Sequence, residues 1–182
     1  MDPSPPGFSG RLFVVPKSSS GFRPVLDLSV LNKFLKKQHF RMETPLSIRE
    51  SIQVGDCATV IDLRDAYFHL FMHKHSRKWL RFTWNSKAFQ FRVLPFGLSL
   101  APWLFTRVIR EVVIVARQRG IRLHVFLDDW LVLAPSLTLS KEHTTSLTTL
   151  ARSLGFVLHP DKCPLTPSQT FTYLGMVFNT VD

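Results

Sequence analysis

The chain has 182 residues, 45% of them hydrophobic, which is enough for one sizeable core or two small lobes. Lysine and arginine outnumber aspartate and glutamate by 23 to 13, and the net charge of +10 favours a polyanionic partner, nucleic acid first and an acidic membrane second. The sequence has neither a run of about 18 apolar residues nor a signal peptide, so we expect a soluble intracellular protein. Cys57 and Cys163 are too few and too far apart for a disulfide framework or a zinc site, and we expect both to be inert residues in or near the core.

The first third of the chain predicts short elements around one basic turn. They are a flexible leader, the two strands of a hairpin and two short helices, at 1–9, 11–16, 22–28, 29–37 and 45–53. The turn of the hairpin is rich in serine and is flanked by Lys17 and Arg23. These two residues are either ordinary solvated charges or groups that close over the phosphates of a ligand.

An acid ends the next predicted strand. The apolar run that begins at Cys57 stops at Asp62, and a carboxylate directly after a strand core is costly unless it meets a cation or a hydrogen-bond donor. Three histidines follow, at His69, His73 and His75. Their spacing matches no common zinc-ligand pattern, and a basic strand surface explains them equally well.

A second hairpin is predicted between residues 79 and 94, where aromatic side chains are interleaved with Arg81, Lys87 and Arg92. The interleaving suits stacking on nucleic acid, although an ordinary two-faced antiparallel pair has the same pattern. The remaining predicted elements are two amphipathic helices and two strands, at 99–119, 140–154, 156–158 and 171–178. The predicted core side of the second of these helices contains His143, Leu147, Leu150 and Leu154.

Paired acids, Asp128 and Asp129, stand between two short apolar runs. The runs are typical of strands, so the acids are predicted at the tip of a hairpin. Asp-Asp is not a favoured hairpin turn, and it places like charges side by side. Either both carboxylates face water at a solvated turn, or they bind a divalent cation such as Mg²⁺.

Acids therefore end two apolar strands, with Asp62 on one and the Asp128–Asp129 pair on the other. Antiparallel pairing of these strands would bring all the acids to one end of a sheet. Three carboxylates there would form a platform for two metal ions, which clamp the attacking and leaving oxygens of a phosphoryl transfer. A basic chain with such an acidic centre predicts a nucleotidyl transferase or a nuclease on an α+β fold with antiparallel sheets.

Five separated segments resemble, in order, the palm motifs of reverse transcriptases. They are Ile61–Phe68, Leu94–Leu98, Phe126–Asp129, Leu154–Phe156 with Lys162, and Tyr173–Gly175. Segments similar to the fingers motifs of that family lie at 15–17, 22–27 and 31–32. The match runs from Gly10 to about Val177. Leu-Pro-Phe-Gly-Leu resembles the form found in long-terminal-repeat retrotransposons, and Asp-Asp-Trp-Leu resembles the branch whose elements encode a tyrosine recombinase.

The resemblance implies a right-hand polymerase fold, with fingers and an antiparallel palm sheet backed by helices. Fingers would cover 10–56 and 74–99, and palm would cover 57–73 and 100–182. The chain stops just after a hairpin that resembles the primer grip, so the thumb is expected to be absent. A thumb and an RNase H domain would then come from other parts of the same polyprotein.

The resemblance also implies that the three aspartates bind metal ions. Asp62, Asp128 and Asp129, together with Ile61, would hold two Mg²⁺ ions, for which Mn²⁺ could substitute. One ion would lower the pKa of the primer 3′-hydroxyl, and the other would hold the triphosphate.

Contacts to the substrates follow from the same resemblance. Lys17 and Arg23 would close on the β and γ phosphates, and Tyr67 would exclude a 2′-hydroxyl by its bulk. The other residues implied at the incoming nucleotide or the template are Arg64, Asp65, Ala66, Phe96 and Gly97. Those implied at the primer and template are Phe126, Leu127, Lys162, Tyr173, Leu174 and Gly175.

The chain departs from the family pattern at Phe126, where tyrosine is usual, so a hydroxyl contact beside the primer end is missing. Phe96 stands where retroviral enzymes carry glutamine and related retrotransposons carry phenylalanine.

The expected function is the addition of dNTPs to a primer 3′-hydroxyl on an RNA or DNA template. The alternative is a catalytically inactive or domesticated remnant that binds nucleic acid in a salt-sensitive way without incorporating nucleotides.

Overall fold

The computed structural model describes residues 6–17, 21–160, 163 and 165–181. The strands are β1 Leu12–Pro16, β2 Phe22–Leu26, β3 Cys57–Asp62, β4 Arg81–Trp84, β5 Lys87–Gln90, β6 Arg122–Phe126, β7 Asp129–Ala134, β8 Thr170–Tyr173 and β9 Met176–Asn179. The α-helices are α1 Ser29–Asn32, α2 Pro45–Ser51, α3 Ala101–Gln118 and α4 Leu137–Ser153. Short 3₁₀-helices cover Ala66–His69 and Lys74–Trp79.

The chain forms two compact units, each built from two separate segments. The first unit contains Met1–His39 and Tyr67–Phe105, and the second contains Phe40–Ala66 and Thr106–Asp182. The boundaries thus fall after residues 39, 66 and 105, whereas the sequence predicted domain changes after residues 56, 73 and 99. A division into fingers and palm at the predicted positions stays a prediction.

The second unit is organised around an antiparallel sheet in the order β3–β7–β6. After its first aspartate, the central strand β7 consists of five fully buried residues, Trp130 to Ala134. A run that is apolar on both faces belongs in the centre of a sheet that is covered on both sides. α4 packs against β7 and β3, and β8 contacts β3. The buried residues of one core of this unit are Ile48, Ala58, Leu131, Leu133, Phe171 and Tyr173.

The first unit contains two antiparallel hairpins, β1–β2 and β4–β5. Both were predicted, and both are confirmed. Asn85 and Ser86 connect β4 to β5 with φ angles of 47° and 60°, the left-handed pair that the favoured two-residue turn requires. The buried apolar residues of this unit are Leu26, Leu28, Leu80, Leu94, Leu98 and Ala101.

The ends of the helices differ in part from the prediction. α2 begins after Thr44, whose hydroxyl accepts the N–H of Ser47 at 3.2 Å, as the Thr-Pro pair predicts. α4 begins earlier than predicted, because Ser136 caps it by accepting the N–H of Leu139 at 3.2 Å. Its buried residues are mostly small or polar, namely Ser140, Thr144, Leu147, Thr148 and Ala151. Among the described residues, no helix has the length and apolar character needed to cross a membrane.

Three further predictions are corrected. Residues 156–158 form no regular strand, and only an isolated bridge joins Leu158 to Leu63. The strand predicted at 171–178 is the hairpin β8–β9, which turns at Leu174 and Gly175 with φ of 49° and 78°. The end of the predicted leader is bound to the first unit, because Phe8 donates its N–H to the Lys78 carbonyl at 3.1 Å. The start of that leader, 1–5, lies outside the described residues.

Candidate active site

Asp62 and Asp129 face each other across the sheet of the second unit. Asp62 is the last residue of β3, Asp129 is the first of β7, and the two are partners in the antiparallel register. Side chains of directly opposed residues project from the same face, with their Cβ atoms about 5 Å apart. Like charges in such a pair destabilise a sheet unless a cation offsets them. The register therefore brings together two of the three predicted metal-binding carboxylates.

The third predicted carboxylate lies in the turn between β6 and β7, which consists of Leu127 and Asp128. Leu127 has a φ of +54°, a left-handed conformation that costs a leucine about 1–2 kcal/mol. The indole N–H of Trp130 donates to the Leu127 carbonyl at 3.1 Å, and the N–H of Leu63 donates to the Asp128 carbonyl at 2.9 Å. The predicted tip was Asp128 and Asp129; this is wrong by one residue, because Asp129 belongs to β7.

The donor atoms at this end of the sheet suit Mg²⁺. Mg²⁺ is bound by one or two carboxylates, keeps several water ligands and takes substrate phosphates as the others, so a pair of partly exposed aspartates fits it. In the described part of the chain, no group of three or more His, Cys, Asp or Glu side chains could hold a metal ion by itself. Ile61 is fully buried opposite Trp130 and its side chain has no donor atom. Only its backbone carbonyl is available for the metal contact that the resemblance implies, and that contact stays a prediction.

The backbone of Asp62 is held by the segment that follows α4. Asp62 donates its N–H to Sγ of Cys163 at 3.1 Å, and the thiol donates to the Asp62 carbonyl at 3.2 Å. The N–H of His159 donates to the same carbonyl at 2.8 Å. Cys163, which was expected to be an inert residue, thus lies directly against a predicted metal ligand.

Tyr173 holds the start of β7 through its hydroxyl. Its side chain is 2% exposed, and its hydroxyl donates to the Asp129 carbonyl at 2.9 Å. Burial raises the pKa of the Tyr173 phenol, and the negative charges of Asp129 and Glu43 raise it further. The phenol therefore stays protonated and available as a donor. The primer contact implied for Tyr173, Leu174 and Gly175 stays a prediction; the contact of Tyr173 described here lies within the chain.

We expect Tyr173→Phe to lower the free energy of unfolding by about 1 kcal/mol at neutral pH, because one buried hydrogen bond is lost. The phenol ionises near pH 10 only in the unfolded chain, so its stabilising effect is complete below about pH 10 and is lost as the pH rises further. Urea unfolding at about pH 8 and about pH 11 should show the difference between wild type and variant shrinking at the higher pH. A difference that is the same at both values would contradict this.

The segment Arg64 to Ala66 begins two residues after Asp62, at the end of β3. Arg64 donates its N–H to the Val157 carbonyl at 2.8 Å, and its guanidinium lies 3.8 Å from the Asp65 carboxylate. An exposed ion pair of this length stabilises a protein little. Asp65 adopts a left-handed φ of 51°, and Ala66 is buried. Their contact with a triphosphate stays a prediction.

In the first unit, Arg23, Tyr67 and Phe96 form one cluster. The Arg23 guanidinium lies 4.6 Å from the centre of the Phe96 ring, and the Tyr67 ring centre lies 4.9 Å from the same ring. Tyr67 also makes an edge contact with Phe105 at 5.7 Å. Nε of Arg23 is buried and has no hydrogen-bond partner among the described residues. A guanidinium held by a ring face in this way keeps donors for an anionic ligand.

Phe96 and Gly97 lie against the end of β2. The N–H of Leu26 donates to the Phe96 carbonyl at 2.9 Å, and the amide of Asn32 donates to the Gly97 carbonyl at 2.9 Å. Gly97 has a φ of +104°, and a Cβ added there would overlap the Leu26 carbonyl oxygen. The position of Phe96 is thus set by the backbone of β2 and, through Gly97, by the side chain of Asn32.

The remaining predicted site residues are placed as follows. The N–H of Lys17 donates to the Gly21 carbonyl at 3.0 Å at the base of the β1–β2 turn. Phe126 and Leu127 are partly buried beside Asp128. Lys162 lies outside the described residues. The roles of these residues stay predictions.

Sequence reasoning missed a polar network on β6. His124 lies between Ser51 and the carboxylate of Glu43, with its ring nitrogens 2.8 Å and 2.9 Å from their oxygens. Arg122 forms an ion pair with the buried Asp56. The partners in these contacts are 66 to 81 positions apart in the chain, so no local pattern could have paired them.

Comparison with known proteins identifies relatives of this chain. A family model described as reverse transcriptase (RNA-dependent DNA polymerase) matches residues 15–178. The Gag-Pol polyprotein of woolly monkey sarcoma virus is 29% identical over 166 residues, which are 86% of this chain and 10% of that protein. Protein P of duck hepatitis B virus is 27% identical over 180 residues, 94% of this chain and 23% of that protein. The transposon Tf2-3 polyprotein of Schizosaccharomyces pombe is 26% identical over 157 residues, 85% of this chain and 12% of that protein.

Solved structures show the same fold. A foamy viral protease-reverse transcriptase in complex with double-stranded DNA matches with a TM-score of 0.84 at 21% identity, over 94% of this chain and 30% of that chain. The enzyme in complex with an RNA/DNA hybrid matches with a TM-score of 0.79 at 21% identity, over 94% of this chain and 22% of that chain. The predicted α+β polymerase fold is confirmed. Because the family model matches nearly the whole chain, the chain belongs to the reverse transcriptase (RNA-dependent DNA polymerase) family.

Proposed function

We propose that this chain is the fingers and palm core of an RNA-directed DNA polymerase, which adds dNTPs to a primer 3′-hydroxyl on an RNA or DNA template. The observation that carries the proposal is the register of β3 and β7, which pairs Asp62 with Asp129 next to the turn that contains Asp128. The family supports the reaction class. Since the chain spans 10% to 23% of the polyproteins and of Protein P, we propose that it works as part of a longer retroelement polyprotein.

Asp62, Asp128 and Asp129 would hold two Mg²⁺ ions in this reaction. When bound, such a metal pair activates the attacking hydroxyl and neutralises the charge that develops on the phosphates. The rest of the site holds these carboxylates in place. Tyr173 and Trp130 donate hydrogen bonds to the carbonyls of Asp129 and Leu127, the residues on either side of Asp128. The Cys163 thiol is hydrogen-bonded to the backbone of Asp62.

The cluster in the first unit supports a site for the incoming nucleotide. Arg23, held over the ring of Phe96, would bind the β and γ phosphates together with Lys17. Tyr67, packed between Phe96 and Phe105, would present its ring to the sugar. The net charge of +10 would draw the template and primer to the surface, so binding should weaken steeply with salt.

The test of the proposed function is primer extension by the 182-residue chain. The protein is incubated with a labelled primer annealed to an RNA template, a single matching dNTP and Mg²⁺, and a DNA template is tested in parallel. Mg²⁺-dependent addition of one nucleotide is the expected result on both templates. Salt-sensitive binding without any addition would contradict the proposal and would support a binding remnant.

We expect Tyr67→Ala to reduce the preference for dNTP over rNTP by roughly 10-fold to 100-fold, because the ring that excludes the 2′-hydroxyl is lost. The measurement is kcat/KM for each nucleotide in the same primer extension. Tyr67→Phe is the matched control, since it keeps the ring and should keep the selectivity. Unchanged selectivity in Tyr67→Ala would show that this side chain does not select the sugar.

A further inference from the structure

The carboxylate of Glu43 binds the outer strand of the active-site sheet. In the described part of the chain β6 lies at the edge of this sheet, paired with β7 on one side. One carboxylate oxygen of Glu43 accepts from Nδ1 of His124 at 2.9 Å and from the N–H of Val125 at 3.2 Å. The other oxygen accepts from the guanidinium of Arg117 at 3.2 Å. One side chain thus satisfies a backbone donor on the open edge and also binds the side chains of His124 and Arg117.

The hydrogen bonds of His124 determine the role of its ring nitrogens. Nε2 of His124 lies 2.8 Å from the hydroxyl of Ser51, and that hydroxyl lies 2.7 Å from the Ile48 carbonyl. A carbonyl can only accept, so the single proton of Ser51 goes to Ile48 and Nε2 must donate to Ser51. Nδ1 faces a carboxylate and must donate as well. Both ring nitrogens of His124 are therefore hydrogen-bonded within the chain.

The same assignment excludes a hydrolytic triad. Ser51, His124 and Glu43 stand in the order of a serine hydrolase triad, in which the imidazole accepts the proton of the serine. Here the serine proton points to Ile48 and the imidazole is the donor. The network is suited to holding a strand, not to activating a nucleophile.

We propose that Glu43 and His124 are positioning residues for the metal-binding turn. Only Val125 and Phe126 separate His124 from the turn of Leu127 and Asp128. Trp130 to Ala134 of β7 are fully buried, whereas β6 lies at the edge of the sheet and is held, besides its pairing with β7, by the Glu43 contact and by the ion pair of Arg122 at its start. Holding β6 keeps Asp128 close to Asp62, where both can bind metal. The inference rests on the proposed polymerase function.

Glu43→Ala tests the proposal without an activity assay. In the ¹⁵N-labelled chain, hydrogen exchange at the Val125 amide should become about tenfold faster, while the amides of Leu131 and Leu133 in β7 keep their protection. The ¹⁵N shift of His124 Nδ1 should change in Glu43→Ala, because this nitrogen loses its hydrogen-bond partner. Mn²⁺ should broaden the turn amides of the wild type, and Glu43→Ala should need about tenfold more Mn²⁺ for the same broadening.

The kinetic test measures primer extension with Mg²⁺ varied. We expect kcat to fall about tenfold in Glu43→Ala and the half-saturating Mg²⁺ concentration to rise severalfold, while KM for dNTP changes less than about twofold. Glu142→Gln removes a charge from the exposed side of α4 and should change none of these values.

The outcomes are distinguishable. If Glu43→Ala changes neither the Val125 exchange nor the His124 shifts, the network is not as described and the proposal is overturned. If it changes both but leaves the Mn²⁺ broadening and the Mg²⁺ dependence as in wild type, the network is only structural and the positioning role is overturned. A wild type that shows the expected exchange, shifts and Mn²⁺ response but extends no primer would overturn the proposed function and leave the positioning of the turn supported.

Discussion

Asp128→Asn should lower the rate of single-nucleotide addition by about 10³-fold, equivalent to about 4 kcal/mol of transition-state stabilisation, because one metal-binding carboxylate is lost. Asparagine keeps the size of the side chain, and the contact of this residue with Leu63 uses the backbone carbonyl, so the turn should stay folded. The measurement is primer extension at saturating primer and dNTP. Glu142→Gln, which removes one negative charge far from the turn in sequence, is the control and should keep the wild-type rate. Continued synthesis by Asp128→Asn would refute the metal assignment.

Thermal unfolding tests the same metal assignment without requiring catalytic activity. Because a ligand that binds only the folded state stabilises it, Mg²⁺ should raise the melting temperature of the wild type and should raise that of Asp128→Asn less. In metal-free buffer the opposed like charges of Asp62 and Asp129 repel each other by about 0.5 kcal/mol, so Asp62→Asn should not destabilise the chain there. A wild type and variants that respond equally to Mg²⁺ would show that these carboxylates do not bind it.

The convergence of the acids could be predicted because it depends on local pattern. β3 and β7 are apolar runs, each with an acid at one end, and antiparallel pairing of two such strands brings the acids together. The exact turn could not be predicted in the same way. Asp129 pairs with both Asp62 and Phe126, so it belongs to strand β7 and not to the turn. The turn residue with a left-handed backbone conformation is therefore Leu127, and leucine disfavours that conformation.

Other parts of the second unit depend on contacts that a sequence does not display. α4 buries small hydroxyl residues, and one of them, Ser140, lies 3.3 Å from Thr59 of β3. Leu154, which the helical pattern placed on the core side, is 56% exposed. The network of Glu43 and His124 joins segments 81 positions apart. Periodicity identifies which residues share a face of an element. It does not identify which face meets the core when polar side chains find partners there.

Gly97→Ala should destabilise the first unit by about 3 kcal/mol. Gly97 has a φ of +104°, and the added Cβ would overlap the carbonyl oxygen of Leu26, a fully buried residue at the end of β2. The segment cannot move away cheaply, because Asn32 donates to the Gly97 carbonyl and accepts the N–H of Ser99, both at 2.9 Å. Relief of the overlap would break these bonds or shift Phe96 from its place beside Arg23. We therefore expect KM for dNTP to rise as well.

Gly21→Ala is the matched control for the steric part of this argument. Gly21 belongs to the same unit and has a comparable left-handed φ of 81°, but an added Cβ there meets nothing within 4 Å. Its substitution should cost only the backbone penalty of about 1 kcal/mol. Urea unfolding, with hydrogen exchange at the Leu26 amide as a local probe, measures both variants. The excess cost of Gly97→Ala over Gly21→Ala isolates the close approach of the two backbones, and equal costs would show that β2 does not lie against this turn.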